Sequence, residues 1–354
     1  MDYYIPLIIF VVSISYLLRR KKWAMIALTL IPLVLFWGTK VDFGPDYGNY
    51  LFRYERQHDM PILGFLLDAL EGKFEPGIFF LNKIMPSFNA VVFVTSLFLI
   101  GSVYFFFNEF IPKYSFPLAL FLWLFNSAIF NTFSAMRSSF VIGFFLLAIV
   151  AKTRLNNRAA ILLSLIGAQF HMSGYLLVLF TVLPYDFFQK KRKYLIPFIF
   201  AFIVIALLVP SFFTGLLRIV TGSNENISSY EDYATGTNYG LGFYIFSFIR
   251  VGFIVYILYL FKRRLIKKKY IWIAWLTIFC YLLMMVQGIG IMYRVFNYLF
   301  LFTVAFKCYA LKVDKSSLSK IYVGLSILYA LYNFNGYMHT DMMPFYEHYH
   351  SFLF

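Results

Sequence analysis

FNSAIFNTFSAMRSSFVIGFFLLAIVAKTRLNNRAAILLSLIGAQFHMSGY, residues 125–175, is the stretch whose reading decides the fold. An apolar run arrives at Asn131 and Arg137, a second run leaves from there, and a helical hairpin turns at Gln169, His171 and Ser173. A guanidinium in or at the edge of a bilayer costs about 2.5–3.5 kcal/mol on insertion scales unless it snorkels, pairs or faces water. Arg137 beside two apolar runs is therefore a functional hypothesis in its own right.

The rest of the chain has the same character. Hydrophobic residues make up 61% of the 354 residues and charged residues 13%, with a mean hydropathy of +0.75. A soluble domain does not hide so much apolar surface behind so little charge, so the class is an all-α polytopic membrane protein. Apolar runs are placed at 3–18, 23–38, 88–108, 115–131, 138–151, 159–171, 173–188, 194–213, 241–261, 270–287, 295–310 and 320–334. They predict about 12 transmembrane helices in a single domain, 1–354, with external loops at 39–87 and 214–240. Several runs are shorter than the roughly 20 residues that a straight span needs, and those near 137 and 172 are expected to be tilted, bent or broken. Met1-Asp2-Tyr3-Tyr4 lacks a basic leader, so the first run is expected to be a retained span.

A net charge of +15 in a soluble protein would suggest nucleic acid. Here the charge is sorted by side. Basic clusters at 19–22, 152–158, 190–193, 262–269 and 307–320 fall on one face, which the positive-inside rule makes cytoplasmic, so both termini are expected outside. The other face carries cations that insertion does not require: Lys40, Arg53, Arg56, Lys73, Lys83, Arg137, Arg218, Arg250 and Arg294. Arg137, Arg250 and Arg294 each abut an apolar run. Arginine is the natural bidentate partner of a diphosphate.

Three external segments concentrate polar chemistry. The first runs from Lys40 to Gly77, with an interfacial helix expected at Ile62–Leu70. Its Asp42-Phe-Gly-Pro-Asp46-Tyr47-Gly-Asn-Tyr50 sets carboxylates and phenols around a turn, which suits sugar hydroxyls and ring stacking. Glu75-Pro76-Gly77 reads as a helix start with an anion at its positive end; its carboxylate becomes a general base if its pKa is raised. The second segment, 214–240, is rich in Gly, Ser, Asn and Thr and is expected to be a long loop or lid. The third is the tail HTDMMPFYEHYH, whose Glu347, His348 and His350 form only a weak metal pattern. No P-loop, dinucleotide glycine fingerprint or H-E-x-x-H is present. Cys280 and Cys308 read as small core residues.

Gly44-x-Asp46-Tyr47-x-x-Tyr50, Glu75-Pro-Gly-x-x-x-Leu81-Asn82, Phe130-Asn131 with Arg137, and Phe170-His171-x-Ser173 together resemble the EpsG family and the wider group of Wzy-type polysaccharide polymerases. The chain departs from that pattern at Lys40 and Ser138, where members often carry Arg and Gln. The resemblance implies a bacterial inner-membrane glycosyltransferase of GT-C-like arrangement. Such an enzyme moves a growing glycan from undecaprenyl diphosphate to a lipid-linked repeat unit at the periplasmic or outer face. It implies no cofactor, metal or nucleic acid; the expected partners are donor and acceptor lipids, the membrane and a chain-length regulator. In that chemistry Arg137 with Arg250 or Arg294 would face the leaving diphosphate. Asp46, Glu75 and His171 are the candidate proton acceptors, and Tyr47, Tyr50 and Arg53 would hold sugars or the second diphosphate. A glycan ligase, a flippase or transporter of lipid-linked oligosaccharide, and a membrane acyltransferase are the competing readings. A transporter is expected to carry mid-membrane charges and inverted repeats, which the sequence does not display.

Overall fold

The computed structural model describes residues 3–64, 75–126, 128–208, 241–285, 290–339 and 350–351. Two compact units emerge, one formed by Met1–Leu183 with Val323–Phe354 and the other by Pro184–Tyr322. Among the described residues each apolar run of the sequence overlaps helix, with interruptions inside 115–131 and 173–188. The helices Phe88–Phe110, Met136–Thr153, Tyr244–Lys262 and Val295–Val313 are long and apolar enough to cross a membrane. Other apolar helices, such as Tyr4–Leu17 and Asn157–Ala168, are shorter. The architecture is that of a helical membrane protein.

In the first unit, α1 (Tyr4–Leu17) and α2 (Lys22–Gly38) form a hairpin. Tyr4 is buried where α1 meets the later chain, donating its hydroxyl to the Leu124 carbonyl at 2.7 Å. After α2 comes a two-residue strand, β1 (Lys40–Val41), followed by α3 (Tyr47–Asp59) and α4 (Pro76–Ile84). The long helix α5 (Phe88–Phe110) opens on Ser87, whose hydroxyl accepts from the Ala90 N–H and satisfies one of the orphan donors of the first turn.

The segment expected as a turn-rich external loop is thus largely helical among the described residues. Tyr47, Tyr50 and Tyr54 recur at helical spacing and are buried together with Gln57, and this apolar stripe makes α3 amphipathic. The predicted turn is confined to its approach, where Asp42 and Gly44 have positive φ of 47° and 96°. Most of the predicted 62–70 helix, the 214–240 loop and Glu347 and His348 of the tail lie outside the described residues. Strand β2 (His350–Ser351) returns antiparallel to β1, with Lys40 opposite Ser351 and Val41 opposite His350. No sequence pattern announced this pairing.

Of the tilted, bent or broken forms expected for the decisive stretch, the structure has the broken one. It runs through α6 (Phe116–Leu124), α7 (Ala128–Ser134) and α8 (Met136–Thr153), then α9 (Asn157–Ala168), a tight turn at 169–174, and α10 (Tyr175–Val182). Rings of Phe98, Phe140, Phe144 and Phe170 stack between α5, α8 and the turn, with Phe140 and Phe170 4.3 Å apart and nearly parallel. The last carbonyls of α10 have no helical partner of their own. Lys152, from the end of α8, supplies one by donating to the Thr181 carbonyl at 2.7 Å and to that of Leu183. This lysine, read from sequence as a topology charge, is buried and is a structural cap.

The second unit contains α11 (Phe187–Lys190), α12 (Arg192–Leu208), α13 (Leu241–Lys262), α14 (Ile271–Met284), α15 (Gly290–Val313) and the start of α16 (Ser317–Met338). Its core is aromatic. Phe188 packs on Trp272 and Trp275, and Tyr270 stacks on Tyr309 at 3.7 Å. Cys280 and Cys308 are buried thiols that form no disulfide.

Replacing Lys152 by Met should orphan the Thr181 and Leu183 carbonyls at a cost of about 1–3 kcal/mol each. The expected result is a lower unfolding midpoint in detergent; an unchanged midpoint would remove the capping role.

Candidate functional site

Glu75 precedes α4, and Pro76 occupies the first helical position, where its missing N–H costs nothing. The carboxylate does not cap its own helix. It turns instead toward two guanidiniums and an imidazole brought by three other segments. Arg53 of α3 donates Nη1 to Glu75 Oε2 at 2.7 Å, and Arg137 of α8 donates Nη1 to the same oxygen at 2.6 Å. His171 Nδ1 lies 3.2 Å from the other oxygen, Oε1. Arg137 also donates Nε to the Tyr50 hydroxyl at 3.2 Å and lies over that ring, 5.5 Å from its centre. Side-chain exposure is 7% for Glu75, 12% for His171, 23% for Arg53 and 28% for Arg137. The anion is therefore interior and the guanidiniums reach outward.

Local sequence explains how each group is aimed. Arg53 lies three residues after Tyr50 on α3, so both meet the Glu75–Arg137 pair from one helix. A polar seam fixes α3 against α4: Asn82 Nδ2 donates to Gln57 Oε1 at 2.9 Å, Tyr54 donates to the Met85 carbonyl at 2.9 Å, and Lys83 donates to the His58 carbonyl. The Gly77 N–H donates to the Gln169 carbonyl at 3.0 Å, tying the start of α4 to the His171 turn. A Cβ at Gly77 would come within 2.8 Å of the Phe170 ring, which its stack on Phe140 holds in place. Only glycine allows this approach.

Arg137 stands in the first turn of α8, directly after the break. The carbonyls freed at that break are taken up: Ser139 donates its hydroxyl to Thr132 O at 2.6 Å, and Lys40 donates to Phe133 O. Lys40 is buried, with its ammonium 5.7 Å from the Trp37 ring centre and 5.8 Å from those of Phe43 and Phe133. Burial pulls its pKa down to about 7. This cation is spent on holding the break and is not presented to a ligand.

The electrostatics favour an anion. Two guanidiniums face one carboxylate, and the N-terminal ends of α4 and α8 add positive dipole ends to the same place. Burial alone pushes the Glu75 carboxyl up, but the His171 contact, the charge and hydrogen bond of Arg137 and the charge of Arg53 outweigh it and hold the group at about 2. The condition under which Glu75 itself is a base, a raised pKa, is not met in this arrangement. Glu75 stays ionised and orients its neighbours.

The other sequence candidates have different surroundings. Asp46 is the residue before α3, half-buried, and its carboxylate forms no ion pair with a described residue. Tyr47 is buried edge-on against Phe88, 5.1 Å between ring centres, as part of the core. Arg250, on α13 of the second unit, is buried and donates Nη1 to the Met284 carbonyl at 2.9 Å. Arg294 lies on α15 of that unit, and its side chain is outside the described residues. Tyr54, Gln57, Asn82 and Gly77 were not singled out as site residues; the helical spacing from Tyr47 and Tyr50 was the available signal for Tyr54. Among the described residues no cluster of His, Cys, Asp and Glu is suited to a metal ion.

A helical membrane protein with a buried ion-pair cluster at a broken span is the class that fold and site define. The family model of the EpsG family matches residues 23–350, nearly the whole chain, and the protein belongs to that family, which is related to the Wzy-like polymerases. No curated protein and no solved structure matches the chain.

Two outcomes test this geometry. Because Glu75 titrates below its ordinary 4.5, its interactions stabilise fully above about pH 4.5 and are lost as pH falls through about 2. In detergent, Glu75→Gln should therefore reduce the acid-side loss of stability between pH 5 and pH 2 by on the order of 3 kcal/mol; equal acid sensitivity would contradict the pairing. Gly77→Ala should destabilise through the Phe170 ring, and Gly77→Ala/Phe170→Ala should lose less than the sum of the single changes, with a coupling of about 0.5–3 kcal/mol. Simple additivity would mean that the approach is not tight.

Proposed function

We propose that the protein is a polysaccharide polymerase of the bacterial cytoplasmic membrane. It transfers a growing undecaprenyl-diphosphate-linked glycan onto a lipid-linked repeat unit, with its site open to the periplasm or exterior. Membership of the EpsG family supports a polymerase-related role. The observation that carries the finer reading is the single carboxylate shared by Arg53, Arg137 and His171.

A hydroxyl of the acceptor unit attacks the anomeric carbon of the donor sugar. The glycosidic C–O bond to the diphosphate breaks, its electron pair passes to the phosphate oxygen, and the hydroxyl proton must be taken up. Charge grows on the departing diphosphate as the sugar gains oxocarbenium character, and preorganised cations placed there lower the barrier. Arg53 and Arg137 are suited to that position because they are fixed, permanently charged and partly exposed. His171 is the proton acceptor in this reading. Its Nδ1 faces Glu75, which favours the tautomer with the proton on Nδ1 and the lone pair on Nε2. A single displacement inverts the anomeric centre. Tyr50 positions Arg137, and Asp46 is available at the approach to α3 for contacts with sugar hydroxyls.

Purified protein in liposomes, given only lipid-linked repeat unit, should yield a ladder of chain lengths. Arg53→Ala, Arg137→Ala and His171→Ala should each lower the rate by about 10²–10³-fold while the protein still inserts and folds. Movement of the lipid between leaflets without new glycosidic bonds would replace this reading with a transporter, and wild-type ladders from the variants would remove the site assignment.

A further inference from the structure

The polymerase reading leaves open why a site for a diphosphate should contain a buried carboxylate at its centre. We propose that Glu75 stands in for the phosphate of the ligand, and that an arriving diphosphate takes over Arg53 and Arg137, leaving Glu75 to act on His171 alone. The inference rests on the functional reading above and adds an exchange of partners to it.

The geometry of the cluster carries the argument. Arg53 and Arg137 each give Nη1 to the same oxygen, Oε2, so neither makes the two-pronged, parallel contact that guanidinium and oxyanion prefer. One carboxylate charge is divided between two permanent cations. A diphosphate brings more charge and several oxygens, enough for a separate contact to each guanidinium. Both arginines are about a quarter exposed, whereas Glu75 is interior. The ligand can therefore meet the arginines from outside without entering the space that Glu75 fills. In the absence of ligand, the carboxylate keeps two guanidiniums close together that would otherwise repel.

The exchange has a direct chemical consequence. The groups facing Glu75 are Arg53 from α3, Arg137 from α8 and His171 from the turn after α9, with Tyr50 of α3 bound to Arg137. When the two guanidiniums turn to phosphate, burial remains and the main opposing charges leave, so the Glu75 carboxyl rises from about 2. Its negative charge then acts on the imidazole alone and increases the proton affinity of His171. The base strengthens when the donor is seated, which couples proton transfer to occupancy.

Inorganic pyrophosphate is the probe, with full-length protein in detergent. Calorimetry at pH 5 in two buffers of different ionisation enthalpy should show greater proton uptake on binding for wild type than for Glu75→Gln. Glu75→Gln should bind pyrophosphate about fivefold more tightly, because the competing anion is gone. Infrared difference spectra of the wild type should show one carboxylate band shifting on binding, a readout that stands even if Glu75→Gln fails to fold. Equal or weaker binding by a folded Glu75→Gln, equal proton uptake, or no carboxylate shift would overturn the exchange. A ladder from lipid-linked repeat unit without these signs overturns this inference alone. The signs without a ladder support the exchange and overturn the polymerase reading.

Discussion

One carboxylate, Glu75, holds two guanidiniums and an imidazole drawn from three separate segments, and the geometry around the site depends on that contact. Without it, Arg53 and Arg137 would be close cations in a low-dielectric place, and an unpaired buried charge is among the costliest features that a fold can contain. The hydrogen bonds that fix α3 on α4, and α4 on the turn at 169–171, hold these groups at contact distance. The asymmetry of exposure, with the anion interior and the cations outward, gives the cluster a direction. It presents positive charge to whatever arrives.

A broken span makes this possible. A continuous helix from Phe116 to Thr153 would satisfy its own backbone and present nothing but side chains. Interruptions at 125–126 and at Ala135 instead create a fresh helix start at Met136, beside Arg137. The carbonyls exposed by the second break are taken by Ser139 and Lys40. In a bilayer such irregular backbone is tolerated only where protein or water supplies the missing partners. Lys40 illustrates the cost, since burial draws its pKa down to about 7 and leaves it as a hydrogen-bond donor to structure. Its neighbour Val41 pairs with His350, so the C-terminal strand is part of the same support.

The members of the candidate cluster were readable because expensive residues are conspicuous against apolar sequence. Arg137 and His171 stand out by charge alone, Glu75 by its place before Pro76, and Arg53 by lying among carboxylates and tyrosines on the expected outer face. Their roles were less legible. Glu75 reads as a helix cap or a base, yet it neither caps α4 nor has the raised pKa of a base, because both properties depend on which cations pack against it. Tyr47 and Tyr50 read alike in sequence, yet one faces the core and the other binds Arg137. The turn-rich look of residues 42–50 concealed a helix, since Gly and Pro before Tyr47 drew attention from the tyrosine stripe that follows.

The sequence by itself determined that this is a helical membrane protein, where its apolar runs lie, and that the run around Arg137 is too short for a straight span. These follow from local hydrophobicity and from the length of chain available to cross a bilayer, which need no partner to be read. Only the tertiary structure decided that Arg53, Arg137 and His171 share Glu75, that Lys152 and Lys40 serve as caps, and that Gly77 admits the Phe170 ring. Those outcomes depend on contacts between residues 22 to 96 positions apart, such as Arg53 with Glu75 and His171 with Glu75. Spacing along the chain carries no information about such distances until the helices have packed.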